Sequence, residues 1–291
     1  MTGLVAADRL DRAGLKVDVF EKSPRQGGRI ATRRTPVARF DHGAPAIDAT
    51  DPEFIRFITG LGAVCDRDGR YRCRPDMRSL FDPLTERLHV RWRVEVSRLS
   101  REKAGWFLLS EAGGRHGPYD VVVVTAPAPQ ASRLIDGAQP EISERLGGIP
   151  MQSVWTGMLS FERPLRLPER GDGGAVQPCG GDETGLAQSW VVHMGPEWTD
   201  TYLENDAPFA AALMREDIER DAGERLPATE YLSAHRWRFA RAREPLGQPC
   251  LGCEDTRLWA GGDWALGRTA EHAWMSGTAM AEAITERMLV S

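Results

Sequence analysis

The sequence predicts an α/β protein in which a split, parallel-sheet nucleotide-binding domain frames an inserted α+β domain built on a mixed sheet. Three observations carry this expectation. A helical stretch at the N-terminus leads into a strand that ends on an acidic residue, Glu21. Four consecutive valines, Val121 to Val124, sit between Asp120 and the prolines Pro127 and Pro129. A strand near the C-terminus, RLWA, runs into Gly261-Gly262-Asp263 and then a long helical segment. An unbroken valine run bounded by breakers describes a strand buried on both faces, as parallel sheets require. The expected boundaries are 1–45, 88–137 and 255–291 for the split domain, with 46–87 and 138–254 inserted.

In chain order, Leu4, Val5, Ala7, Leu10 and Ala13 share one helical face over residues 2–14, and Gly14 marks the stop. LKVDVFEK follows as a strand, and SPRQGGRIATRR as a Gly- and Arg-rich loop. DPEFIRFITGLG predicts a short helix with Asp51 as N-cap and Pro52 in its first turn. Strands are expected over LHVRWRVEVSRLSRE and WFLLS, the latter ended by the turn-rich EAGGRHGPYD. MQSVWTGMLSF predicts a strand, GDGGAVQPCGGDETG a long loop, and LAQSWVVHM another strand. DAPFAAALMREDIERDAG predicts a helix stopped by Gly223, ATEYLSAHRWRFAR mixes strand and aromatic character, and TAEHAWMSGTAMAEAITERML closes the chain as a helix.

The 291 residues carry a net charge of −5, which gives no reason to expect nucleic acid or an anionic membrane as partner. No apolar run approaches the roughly 20 residues of a membrane span, and no basic, apolar leader opens the chain; the cytoplasm is the expected location. Five cysteines, with Cys250 and Cys253 as a lone CxxC, do not form a disulfide framework or a zinc set. No metal is expected, and the CxxC reads either as a redox dithiol or as two loop thiols. Lysine occurs only at Lys16, Lys22 and Lys103, so no catalytic lysine lies beyond residue 103.

Two clusters carry the chemistry. In the first, Gly3 precedes the first helix, Glu21 and Lys22 end the first strand, and Gly27-Gly28-Arg29 follows six residues after the acid. A carboxylate at a strand end accepts the ribose hydroxyls of a dinucleotide, paired glycines let backbone approach a pyrophosphate, and arginine supplies a planar cation for its oxygens. A plain N-terminal helix over residues 1–14 remains an alternative. The second cluster is AGGDW, where Gly262 and Asp263 end a strand just before a helix whose N-terminal dipole favours negative charge.

The string GGRIATRR with ARFDHGA, together with AGGDW and Glu271-His272-Ala273-Trp274-Met275-Ser276-Gly277, resembles the renalase-like branch of the flavin amine-oxidase superfamily. The resemblance implies a split Rossmann-like FAD-binding domain and FAD as cofactor. It implies that Met1 lies inside the first glycine loop, with the first strand and first two glycines missing from this numbering. It places Gly43 and Ala44 beside the flavin, Val94 on adenine through its N–H and C=O, and the turn Thr125-Ala126-Pro127 beneath the cofactor. It gives Asp263 the ribityl hydroxyls and aims the N–H groups at Ala273, Trp274 and Met275 at the flavin edge. His272 replaces the family's glycine. His42, Trp237 and His272 are the catalytic candidates, each with a structural alternative: a hydrogen-bonding histidine or a core tryptophan. Arg33, Arg34 and Arg39 read either as part of the motif or as surface residues.

The resemblance implies oxidation of a small molecule, with hydride passing to flavin N5 and O2 as acceptor. Misreduced dihydronicotinamides lead as substrate. True amine oxidases of the superfamily commonly place a lysine near N5, and none follows Lys103 here. An amine oxidase or desaturase acting on another small molecule is the second expectation. A truncated chain that binds FAD poorly is the third.

Overall fold

The computed structural model describes residues 1–179 and 186–288. The first helix, Thr2–Arg12, buries Val5, Ala6, Ala7 and Leu10 and lies against the final helix, Ala270–Met288. The approach is close because Gly277 has no side chain: a Cβ there would stand 2.6 Å from the Thr2 carbonyl. Gly14, at φ +87°, turns the chain out of the first helix into the strand Asp18–Glu21.

The expected parallel pairing is present, but as two pieces. Asp18–Glu21 pairs in parallel with His89–Trp92, Glu21 opposite Trp92. Val122–Val124 pairs in parallel with Leu258–Ala260, whose other edge is taken in antiparallel by Leu251–Cys253. The valine run is covered on both faces: Val122 and Val124 pack with Ala128 and Ile135, while Val121 and Val123 meet Leu10, Trp259 and Ile284.

The long stretch 89–103 is two strands in different sheets, because Arg93 adopts φ +61° and breaks the line. Its second half, Val96–Glu102, forms a meander with Gly105–Ser110 and Arg115–Tyr119. The third of these strands lies where only turns were expected. Two helices, Ala128–Ile135 and Pro140–Gly147, are also additions; each is 8 residues long and has a proline in its first turn, where the missing N–H costs nothing.

The inserted sheet is antiparallel throughout, not mixed, in the order Ala175–Pro178, Ala187–His193, Met151–Leu165, Thr229–Ala242. The helix Ala207–Ala222 covers it, capped by Asp206, whose Oδ1 accepts from Phe209 N at 2.8 Å, and ended by Gly223 at φ +67°. Ala175–Pro178 lies inside the segment expected as a loop, and part of that loop falls outside the described residues. Cys250 and Cys253 flank and end a strand and pack into different hydrophobic clusters, so their side chains diverge and a dithiol pair does not form. Among the described residues no helix is long and apolar enough to cross a membrane.

Candidate active site

The two motifs singled out in the sequence meet. Gly27 (φ +123°) and Gly28 (φ +53°) turn the chain so that the following residue, Arg29, reaches 234 positions along to Asp263. The guanidinium binds that carboxylate through both nitrogens, Nη1 to Oδ2 at 2.8 Å, and also donates to the Ala240 carbonyl at 2.8 Å. Asp263 is only 4% exposed, so this fork is what makes a buried carboxylate tolerable. The turn holding Asp263 is fixed by three bonds: Gly261 N to the Val124 carbonyl, Gly262 N to Ser276 Oγ at 3.0 Å, and Trp264 Nε1 to the Ala126 carbonyl at 3.1 Å. The Thr125-Ala126-Pro127 turn therefore supports the Asp263 turn through Trp264.

Gly3 and Thr125 touch. A Cβ on Gly3 would stand 2.6 Å from Thr125 Oγ1, so the glycine is required for the first helix to sit on the 122–127 strand and turn. Arg29, Asp263 and Glu21 all lie within electrostatic reach of Met1. Glu21, Arg29, Asp263 and the start of the first helix thus converge. Glu21 Oε1 also accepts from Ser23 N at 2.7 Å.

Several expected contacts fall elsewhere. The Val94 N–H donates to the Glu21 carbonyl at 3.0 Å, extending the parallel pairing, so that group does not serve adenine. Lys22 faces Glu95 at 3.6 Å, with both side chains exposed. Gly43 N and Ala44 N donate to the Ala31 and Arg29 carbonyls, and a Cβ on Gly43 would collide with the Arg29 carbonyl; these residues brace the glycine loop from behind. Ala273 N is already bonded to the Thr269 carbonyl, one turn inside the final helix. Trp274 packs on Phe54 and Phe57 in the core, with Met275 partly buried against the same cluster. His272 bonds Thr269 Oγ1 through Nδ1 at 2.7 Å, a contact at the start of the final helix. Arg34 binds Asp76 through two nitrogens, and Arg39 approaches the same carboxylate at 3.7 Å, so both tie the loop to a buried acid.

The neighbouring Glu271 closes the join between the two halves. Its carboxylate accepts from Thr50 N, Thr50 Oγ1 and Asp51 N at 2.7–2.9 Å. Burial works against its charge, yet these donors hold its carboxyl below the ordinary range.

A second constellation lies where the glycine-loop extension crosses the long strand Thr229–Ala242. His42, 5% exposed, packs against His235 and Trp237 with ring centroids 5.1 and 5.2 Å away, and Trp237 Nε1 donates to the His42 carbonyl at 2.9 Å. His235 and Trp237 are themselves 4.2 Å apart. His193 Nε2 reaches the Gly43 carbonyl at 3.1 Å. Burial, helped by His235 and Arg33, pushes His42 down to about 3, and burial with Arg33 pushes His235 down to about 4; burial also lowers His193. All three are neutral imidazoles at neutral pH. Two of them, His193 and His235, were not singled out in the sequence. Their signal was strand alternation, which places His235 and Trp237 on one face.

A model of the NAD(P)-binding Rossmann-like domain matches residues 1–61, and one described as flavin containing amine oxidoreductase matches residues 64–285. The chain is similar to coproporphyrinogen III oxidase of Mycobacterium tuberculosis, 32% identical over 123 residues, which are 42% of this chain and 25% of that protein. It is also similar to phytoene desaturase of Fusarium fujikuroi, 26% identical over 163 residues, 53% of this chain and 28% of that protein. The aligned part thus spans about a quarter of these curated relatives. The fold matches cyclohexylamine oxidase from Brevibacterium oxydans with a TM-score of 0.66 at 12% identity, over 99% of this chain and 97% of that one. The chain belongs to the family of flavin containing amine oxidoreductases, and FAD is the cofactor that membership assigns.

The converging residues fit that cofactor. A Cβ on Gly28 would meet nothing within 4 Å, so the glycine loop opens to free space at that position. The Glu21 carboxylate suits ribose hydroxyls, and Arg29 with the glycine backbone suits a pyrophosphate.

Proposed function

We propose that this chain is an FAD-dependent oxidoreductase of the renalase-like kind, oxidising a small planar molecule, with dihydronicotinamides as the lead substrate and O2 as acceptor. FAD supplies the redox chemistry. Glu21, Gly28, Arg29 and Asp263 hold it, while His42, His235 and Trp237 wall the substrate side. The observation that supports this most is the Arg29–Asp263 fork, which joins the glycine loop to the strand-end turn across the chain. Residues 1–45, 88–137 and 255–291 act as the cofactor domain, and 46–87 with 138–254 as the substrate domain. Five free thiols accord with a cytoplasmic setting.

Visible absorption after incubation with FAD and desalting tests this reading. Retained flavin bands, bleached by a dihydronicotinamide and restored by air, are the expected result. A colourless protein sinks it. Amine oxidation is disfavoured by the lack of any lysine after Lys103. A desaturase is the second reading, supported by the likeness to phytoene desaturase. It predicts that bands bleach only with an apolar polyene.

A further inference from the structure

In the strand pair Arg33–Arg34 with Arg39–Phe40, alternation sends Arg33 away from Asp76, toward the long strand Thr229–Ala242. Arg33 lines a cleft of about 460 Å³ with Trp155, Asn205, Ser233, His235 and Arg236. The charges around it are disposed unevenly. Arg236 is held by the Leu203 carbonyl and Glu204 and lies over Trp155. Asp206, also on the cleft, spends its Oδ1 on the Phe209 N–H. Arg33 makes one long bond, 3.4 Å to Ser233 Oγ, and no carboxylate of the described residues comes within 4.0 Å of its guanidinium. Its charge is nonetheless felt by His42 and His235.

A half-buried, uncompensated guanidinium beside a hydroxyl and neutral imidazoles is a site for an anion, because an incoming oxyanion gains a charge-assisted fork with no competitor to displace. Of the aromatic rings near Arg33, His235 lines the same cleft and supplies a flat surface for a planar group, with His42 and Trp237 packed behind it. We infer that Arg33, with Ser233, anchors the anionic group, carboxylate or phosphate, of a substrate whose planar ring lies against the His235 imidazole. The inference rests on the oxidoreductase reading for the word substrate, but the anion site itself does not.

Benzoate and benzamide share a ring and differ in charge, so calorimetric titration of the full chain with each isolates the charge. The expected result is benzoate at least about tenfold tighter than benzamide, with Arg33→Gln abolishing the preference. Equal affinities in the unmodified chain, or a preference that survives in R33Q, overturn the site. Inorganic phosphate distinguishes the anion's source: competition with benzoate supports a shared anion pocket, and phosphate binding that leaves benzoate untouched overturns it. Should R33Q lose its circular dichroism, Arg33→Met takes its place: it keeps the length of the side chain and loses the charge, and an undiminished preference in it overturns the site. Flavin retention is read separately. A chain without flavin bands that still prefers benzoate fails the oxidoreductase reading alone. A chain with bands and no preference fails the anion site alone.

Discussion

At the scale of single residues, the Arg29–Asp263 pair shows how a buried carboxylate is made stable. Asp263 is buried, while a third of the Arg29 side chain is exposed. Removing one partner leaves a carboxylate without compensation, which costs more than the pair itself contributes. Arg29→Ala should therefore lower unfolding free energy by about 2–4 kcal/mol, after discounting for the exposed guanidinium. Asp263→Ala in that background should restore part of the loss, and urea titration of the single and double variants reads the coupling. Glu21, Arg29 and Asp263 could be singled out in the sequence because each stands at a fixed spacing from a strand end or a glycine pair, and the structure brings them together. Arg33 was not legible. It stands beside Arg34 in the same motif, and only the pleat decides that one neutralises Asp76 while the other faces a cleft.

At the scale of elements, close packing is set by glycines and caps. The first helix can rest on the Thr125 turn only while Gly3 lacks a side chain. Gly3→Ala should destabilise by about 1–3 kcal/mol through overpacking and weaken FAD retention, since the same helix end meets Glu21 and Asp263. Thr125→Ala removes the colliding Oγ1 and should recover most of both losses; a G3A chain as stable as the parent in thermal denaturation would contradict the contact. Elements with strong local punctuation were readable. Pro52–Gly60 and Ala207–Ala222 each carry an aspartate N-cap whose side chain accepts the expected backbone bonds. The helices Ala128–Ile135 and Pro140–Gly147 escaped because eight residues span barely two turns of apolar repeat. The strand Arg115–Tyr119 escaped because RHGPY contains both of the residues that usually mark turns. The antiparallel course of the inserted sheet depends on pairings between distant strands, such as Met151 with Ala242, which no local pattern encodes.

At the scale of the whole molecule, the join between the halves makes stability depend on pH. His42, His193 and His235 come from three separate segments, and where those segments meet His42 is buried and the other two are partly buried. Around them stand Arg33, which disfavours protonation of His42 and His235, and Arg241, which disfavours that of His193. Asp41, next in sequence to His42, is held above its ordinary range by burial and adds little negative charge in acid. In the unfolded chain each histidine protonates near pH 6.5; in the folded chain His42 does so at about 3 and His235 at about 4. A lowered folded value means that the unfolded state binds more protons, so the stabilisation is complete above pH 6.5 and is lost progressively as pH falls toward 4 and 3. Each of these two histidines should then cost about 2 kcal/mol between pH 7 and pH 5. The carboxylates held low by partners, Asp76, Asp172 and Glu271, begin to matter only below their unfolded values near pH 4, so the upper window belongs to the imidazoles. Urea midpoints taken from pH 7 to pH 5 should fall steadily for the parent chain and fall markedly less for a His42→Asn/His235→Asn double variant, in which His193 alone of the three remains. A parent chain whose stability is flat across that window would show that the histidines are hydrated or paired with acids, and would remove the neutral wall on which the proposed substrate side rests.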